Sequence, residues 1–394
     1  MKKLSVIGVI TLLIVVVIAG KFLITPLSKS TPKLSVQNDI ADQGTQPTAR
    51  GGDMPFTLST PEGYTVKLFA NNITNARDLY FTPDGTLLVS SSGTGNVYAL
   101  PDKNSDGIAD EVISVVSGLD QPHGLAMINN KLYIAETRRV SRFSFDTSSY
   151  KAAFEKELFK LPGNTNHNKR TIVFDENSNL YTSVGSTCNV CEEKDAQSGT
   201  VLISDSEGNN LKVFSKGVRN APFLAINPTD GALWSTGMGR DLLGDDLPPD
   251  EINILKSGGD YGWPYCYGDK VFDANFNKMS SSYCSNTVAP AFQIPAHSAP
   301  LGLAFIPANF SSSWVNDILV AYHGSWNRSI PDGYKVVKLE VSGTQLTSSE
   351  DFLTGFIQNG SVVGRPVDVV FDQEGYAYVS DDKTGNIYII SQVK

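Results

Sequence analysis

A short apolar strand, a tight polar turn and a second strand ending in small polar residues recur along this chain. The first copy is Asp78-Leu-Tyr-Phe-Thr-Pro-Asp-Gly-Thr-Leu-Leu-Val-Ser. Copies beginning at Gly124, Thr171 and Phe223 keep Asn, Asp or Gly in the turn, where those residues tolerate the required backbone angles. Gly302-Leu-Ala-Phe-Ile-Pro leads to Asp317-Ile-Leu-Val-Ala-Tyr after a longer insertion, and Asp368-Val-Val-Phe-Asp-Gln-Glu-Gly-Tyr-Ala-Tyr-Val-Ser completes a set of six. Several copies run into a third apolar strand, as in Gly95-Asn-Val-Tyr-Ala-Leu and Gly385-Asn-Ile-Tyr-Ile-Ile. The starts lie roughly 45 to 80 residues apart, the spacing of four-stranded blades joined by unequal loops. No sustained 3.6-residue apolar period interrupts them, which disfavours helical and α/β folds. The expectation is an all-β protein, a six-bladed β-propeller over residues 56–394, with a pair of β-sandwiches fitting less well.

Ahead of the repeats, Lys2 and Lys3 precede an apolar run from Leu4 to Gly20, and Phe22, Leu23 and Ile24 extend it past Lys21. Residues 1–25 therefore read as an export signal or a transmembrane anchor. A retained anchor, with the lysines inside and the rest facing the periplasm or cell exterior, is favoured over a cleaved, secreted form. Residues 26–55 are rich in Ser, Thr, Gln, Asp and Pro without hydrophobic period and read as a flexible linker. The formal charge of −9 argues against a nucleic-acid partner, because phosphate binding needs a basic face.

Four cysteines suit an oxidising compartment and read as two structural disulfides. Cys188 with Cys191 and Cys266 with Cys284 is the simplest pairing, although spacing alone does not settle it. A zinc site would want two tight pairs, and a redox CxxC would want a helix start.

The four histidines, His123, His167, His297 and His323, all stand beside strand boundaries of a repeat, where propeller loops converge on the central channel. His167, in Asn166-His-Asn-Lys-Arg170, is placed to act as a base, against the alternative of an exposed loop histidine. Arg219-Asn220 precedes the fourth repeat's strand and Arg365 the sixth's, so arginines from separate blades face one volume suited to an anionic or carbonyl-rich ligand. Surface salt bridging is the competing use of both. The loop Gly239–Glu251 concentrates five carboxylates and two prolines, a composition that suits Ca²⁺. Asp102, Asn104, Asp106 and Asp110 occupy positions 1, 3, 5 and 9 of an EF-hand-like loop with Gly107 at 6, but Ile113 stands where a final Glu is needed. This reads as a structural Ca²⁺ loop or an acidic turn. Motifs of serine hydrolases, P-loop NTPases, zinc proteases and nicotinamide dehydrogenases are absent.

Taken together, Asn166-His-Asn-Lys-Arg170, Val184-Gly-Ser-Thr-Cys-Asn-Val-Cys-Glu-Glu193, Arg219-Asn220, Asp250-Glu-Ile-Asn with Gly259-Asp-Tyr-Gly-Trp-Pro264, and His323-Gly-Ser-Trp-Asn-Arg328 resemble the soluble quinoprotein glucose and sorbosone dehydrogenases. That resemblance covers residues 56–394 and implies a propeller binding pyrroloquinoline quinone (PQQ) and Ca²⁺. It implies His167 as general base for oxidation of an aldose at C1 and Arg219 as the group stabilising charge on the reduced quinone. Asn220 and Arg365 are implied as cofactor contacts and the backbone carbonyls of Gly239 and Arg240 as the catalytic Ca²⁺ site, while Gln121, His123, His323 and Arg328, beside strand boundaries of the repeats, are further candidates to contact the cofactor. Electrons would pass to an external acceptor. Ser186 replaces a carboxylate found near the base in glucose-oxidising relatives, and their quinone-holding lysine has no clear match, with Arg328 or His323 as candidates to replace it. The competing readings are a Ca²⁺-dependent lactonase-type hydrolase and a non-enzymatic propeller that binds sugars or proteins.

Overall fold

The computed structural model describes residues 54–163, 166–343 and 345–393. The expected segments 1–25 and nearly all of 26–55 lie outside the described residues. Among the described residues no helix is long and apolar enough to cross a membrane.

Among the described residues, beside two short two-stranded pairs, six larger and mainly antiparallel sheets follow one another along the chain. Their innermost strands are Ala76–Phe81, Leu125–Ile128, Ile172–Phe174, Leu224–Ile226, Pro300–Phe305 and Pro366–Phe371, which define blades 1 to 6. Each blade has four strands in up-and-down order, and blade 3 gains a short parallel fifth, Gly259–Asp260. The sixth copy supplies only three strands. Its fourth is Tyr64–Ala70, from the start of the domain, which pairs antiparallel with Asn386–Gln392 in the register Tyr64 to Gln392 and Leu68 to Tyr388. That strand closes the ring.

The near-continuous apolar runs are explained by burial on both faces. In blade 1, Leu87 and Val89 pack towards blade 6, while Leu88 between them packs towards blade 2. In blade 2, Leu132 and Ile134 face blade 1, and Tyr133 and Ala135 face blade 3. Six apolar clusters result, one in each interface between neighbouring blades. A strand of period two with apolar residues on both sides can only be satisfied by a neighbour on each side.

Around the axis the repeat's first residue has a specific task. The Asp78 carboxylate accepts the Leu125 N–H at 2.8 Å, and Asp368 accepts the Leu79 N–H at 2.8 Å, so each aspartate fastens its blade to the next. Where the repeat begins with glycine, the reason is space. A Cβ on Gly302 would lie 2.2 Å from Asp368 Oδ1, and one on Gly124 2.7 Å from the Arg170 carbonyl. Both disulfides join the cysteines in the simplest pairing, Cys188 with Cys191 and Cys266 with Cys284.

Candidate active site

His167 lies on the segment entering the inner strand of blade 3. Its Nδ1 is 3.1 Å from the Ser186 carbonyl and 2.9 Å from Ser186 Oγ, which in turn donates to the Cys188 carbonyl at 2.7 Å. A carbonyl only accepts, so Nδ1 carries the proton and Nε2 is the basic nitrogen. Burial, with the charges of Arg219 and Arg170, pushes the imidazole down to about 3. It is neutral at any ordinary working pH. Gly185 makes room for the ring: a Cβ there would lie 2.5 Å from His167 Cβ and 3.0 Å from Asn220 Oδ1.

Ser186 also donates its N–H to the Arg219 carbonyl at 2.8 Å, which stitches the histidine and the arginine to one residue. The buried Arg219 guanidinium is held from several sides. Nε donates to the Asn189 carbonyl at 2.9 Å, Nη2 to Asn189 Oδ1 and Asp241 Oδ2 at 3.0 Å each, and Nη1 to the Gly239 carbonyl at 2.7 Å. Asn220 Nδ2 lies 3.2 Å from Met238 Sδ.

The acidic loop does not gather its carboxylates around one point. Asp241 pairs with Arg219 and accepts from Asn327 Nδ2 at 3.2 Å. Asp245 and Asp246 engage Ser329 and Arg328. Asp250 sits beneath the loop, accepting the Gly239 and Ala299 N–H groups at 2.9 and 2.8 Å, and burial pushes its carboxyl up to about 7. Glu251 accepts from Gly268 N and Asn253 Nδ2, and burial raises it likewise to about 7. The Asp250-Glu-Ile-Asn motif thus anchors loops. Arg240 turns its side chain to Asp273 at 2.6 Å, and Arg328 clamps the carbonyls of Asp245 and Ala296.

A second group of charged side chains is centred on Asp382 and Arg77. Arg77 pairs with Asp382 at 2.6 Å, and the other Asp382 oxygen lies 2.9 Å from His323 Nε2. Burial opposes the Asp382 charge, but His323 and Arg77 outweigh it and hold the carboxyl below the usual range. Arg365 donates to the carbonyls of His323 and Gly324 at 3.3 and 3.2 Å and lies over the Tyr334 ring. Lys169 Nζ and Asn168 Nδ2 both donate to Gln121 Oε1 at 3.0 Å. Burial, then the charge of Arg77, pull Lys169 down to about 8. His123 is fully buried, with burial and the cations Arg77 and Lys169 holding it neutral, and its Nε2 has no partner among the described residues.

These contacts make two groups, His167 with Arg219 and Asn220 in one and Gln121, His123, His323 and Arg365 around Arg77 and Lys169 in the other, with the chain segment His167 to Lys169 running from one to the other. Asp102, Asn104, Asp106 and Asp110 are elsewhere, in the turn before the outer strand of blade 1, where their oxygens cap N–H groups of the turn and of Lys103. Among the described residues the only close group of three metal-ligand types is Cys188, Cys191 and Glu193, and its two sulfurs are bonded to each other. Sequence reasoning missed Arg77, Lys169, Asn189 and Asp382, and read Asp241 as one of the acidic loop's carboxylates and not as the partner of Arg219. Aligning the repeats on their first residue would have found Arg77, which precedes Asp78 as His123 precedes Gly124 and Arg170 precedes Thr171.

Comparison with known proteins follows the same outline. The family model described as TrAA12-like matches residues 58–393. An uncharacterized protein of Borreliella burgdorferi is 29% identical over 355 residues, covering 85% of this chain and 91% of its own length. The pyrroloquinoline quinone-dependent pyranose dehydrogenase of Coprinopsis cinerea is 24% identical over 409 residues, covering 86% of this chain but 55% of that protein, so the chain spans about half of that relative. The calcium structure of the Trichoderma reesei family AA12 carbohydrate-active enzyme superposes with a TM-score of 0.75 at 22% identity, over 89% of this chain and 98% of the other. At that identity the superposition speaks for the propeller fold.

Proposed function

Because this chain belongs to the TrAA12-like family, we propose that it is an oxidoreductase that binds PQQ and Ca²⁺ and oxidises an aldose-type sugar at C1. The observation that carries this reading is the join of His167 and Arg219 through Ser186, which fixes a neutral base beside a buried cation.

The residues present fit both groups. PQQ is a flat tricarboxylic acid, and Arg77, Lys169, Arg365 and the Nε2 of His123, which has no partner among the described residues, offer cations and a polar atom to it. Ca²⁺ prefers several oxygens; Gly239 and Arg240 adjoin Asp241, whose carboxylate accepts from Asn327, and the buried Oδ1 of Asn327 has no partner among the described residues. A carbonyl has two lone pairs, so Gly239 can serve Arg219 and an ion together. When bound, the quinone accepts hydride and the ion polarises it, which is chemistry no side chain here supplies.

The chain's own residues do the rest. His167 Nε2 takes the proton of the C1 hydroxyl as C1 gives up its hydride and its C–O bond becomes a carbonyl, help worth roughly 10² to 10⁴ in rate. Arg219 holds positive charge where negative charge develops, and its carbonyl and carboxylate contacts leave no reorganisation for the moment of reaction. Export belongs to the same reading, supported by the apolar segment after Lys3 and by two disulfides. So does the turn of Asp102, Asn104, Asp106 and Asp110 as a separate structural Ca²⁺ loop.

The test is reconstitution. The purified chain is mixed with PQQ and Ca²⁺ and assayed with a dye acceptor over a panel of aldoses. Dye reduction that requires both additions is expected. Lactone hydrolysis without the quinone would replace this reading with the hydrolase, and sugar binding without any turnover would replace it with a binding module.

A further inference from the structure

The Arg219 guanidinium is aimed largely by one residue. Two of its nitrogens, Nε and Nη2, rest on two oxygens of a single residue, the carbonyl and Oδ1 of Asn189, at 2.9 and 3.0 Å. That is the fork a carboxylate offers an arginine, built here from two neutral acceptors. The remaining capacity of Asn189 is spent on holding the fork still. Its Oδ1 also accepts the Asp241 N–H at 2.7 Å, its Nδ2 donates to the Asp241 carbonyl at 3.1 Å, and its carbonyl accepts Trp263 Nε1 at 3.3 Å.

Asn189 lies inside the small ring closed by Cys188 and Cys191, which restricts the backbone that carries both oxygens. The same ring reaches the base, since the Cys188 carbonyl takes the Ser186 hydroxyl that meets His167 Nδ1. One covalently closed turn therefore sits behind both functional side chains. Neutrality is the second point. A carboxylate would hold the guanidinium as well but would cancel its charge, whereas an amide with its carbonyl fixes direction and leaves Asp241 as the one anion paired with Arg219 among the described residues.

On the reading that this is a quinone-dependent sugar dehydrogenase, we propose that Asn189, held in the Cys188–Cys191 ring, is the positioning residue of Arg219, setting its direction without neutralising it. Three full-length variants test this: Asn189→Ala, Asn189→Asp, and the pair Cys188→Ser with Cys191→Ser. Each is compared with the unaltered chain for kcat and KM, for the pH profile of kcat/KM, for PQQ binding by absorbance titration, and for the unfolding midpoint.

Asn189→Ala should lower kcat about 10²-fold, the scale of a misplacement near 1 Å, with KM for the sugar within about threefold. Asn189→Asp keeps both acceptors and adds a negative charge beside Arg219. Among the described residues the charges that push the His167 imidazole down are Arg219 and Arg170, so partial cancellation of the first should raise its pKa and move the acid limb of the profile to higher pH. The cysteine pair keeps Asn189 and should lower kcat less than Asn189→Ala does. Should the cysteine pair not fold, the two Asn189 variants decide alone. Unchanged kcat in Asn189→Ala, or an Asn189→Asp profile that coincides with the unaltered chain's, overturns the proposal while leaving the dehydrogenase reading intact. An unaltered chain that binds PQQ but turns over no aldose overturns the dehydrogenase reading instead.

Discussion

Replacing Gly185 by alanine adds one methyl group at the point where His167 and Asn220 come nearest. The added Cβ would stand 2.5 Å from His167 Cβ, 3.0 Å from the His167 carbonyl and 3.0 Å from Asn220 Oδ1. Carbon atoms rest about 3.5 to 4.0 Å apart, so the histidine must retreat by roughly 1 to 1.5 Å. Its backbone N–H bond to the Ser186 carbonyl, already 3.3 Å long, lies in the path of that retreat. Misplacement on this scale costs about 10²-fold in rate, while overpacking one methyl costs about 1 to 3 kcal/mol of stability. The assay is steady-state dye reduction by the chain loaded with PQQ and Ca²⁺, alongside urea unfolding and a PQQ titration. We expect kcat to fall about 10²-fold, PQQ affinity to change by less than about tenfold, and the unfolding free energy to drop within the range given. A Gly185→Ala protein with unaltered kcat would refute the reasoning, because the imidazole could then move by a bond length without consequence.

Three further outcomes are expected. His167→Ala should lose about 10² to 10⁴ in turnover with PQQ binding spared, whereas Arg219→Ala should weaken both; normal turnover in the histidine variant would remove it as the base. Glu251 is an acid whose folded pKa is raised by burial to about 7 from 4.5, so the native state retains a proton the unfolded chain has released, and its contribution to stability is lost as pH rises through that window. Glu251→Gln should therefore flatten the fall in unfolding free energy between about pH 4.5 and 7, measured by urea titration at several pH values; a slope equal to that of the unaltered chain would contradict it. Gly302→Ala would press a Cβ to 2.2 Å from Asp368 Oδ1 and break the link from blade 6 to blade 1, so it should destabilise the fold by about 1 to 3 kcal/mol, with a lowered urea midpoint.

Most of the architecture was legible because its signals are local. Turns of Asp, Asn and Gly between apolar strands mark hairpins, and five such turns with a sixth strand pair joined by a longer insertion, at blade spacing, leave few other folds. Closure was not legible: Tyr64–Ala70 belongs to the last blade, and no pattern within those seven residues names its partner. Part of the site was legible too, through the family likeness of the Asn-His-Asn-Lys-Arg and Arg-Asn motifs. How the acidic loop uses its carboxylates was not legible, since five within thirteen residues look like one cluster in the sequence and disperse to five separate partners in the fold. Asn189 was invisible, an asparagine between cysteines whose use depends on an arginine thirty residues later.

Alternation of apolar residues, turn chemistry and cysteine placement act over a few bonds, so the residue order alone determined that this chain makes blades, how many, and roughly where their loops lie. The state of the chemistry was decided later, when the ring closed. Whether His167 is neutral, which of its nitrogens is basic and where the Arg219 charge points depend on burial and on partners contributed by other loops. Electrostatic and hydrogen-bond energies depend on distance through space, and only the closed toroid sets those distances.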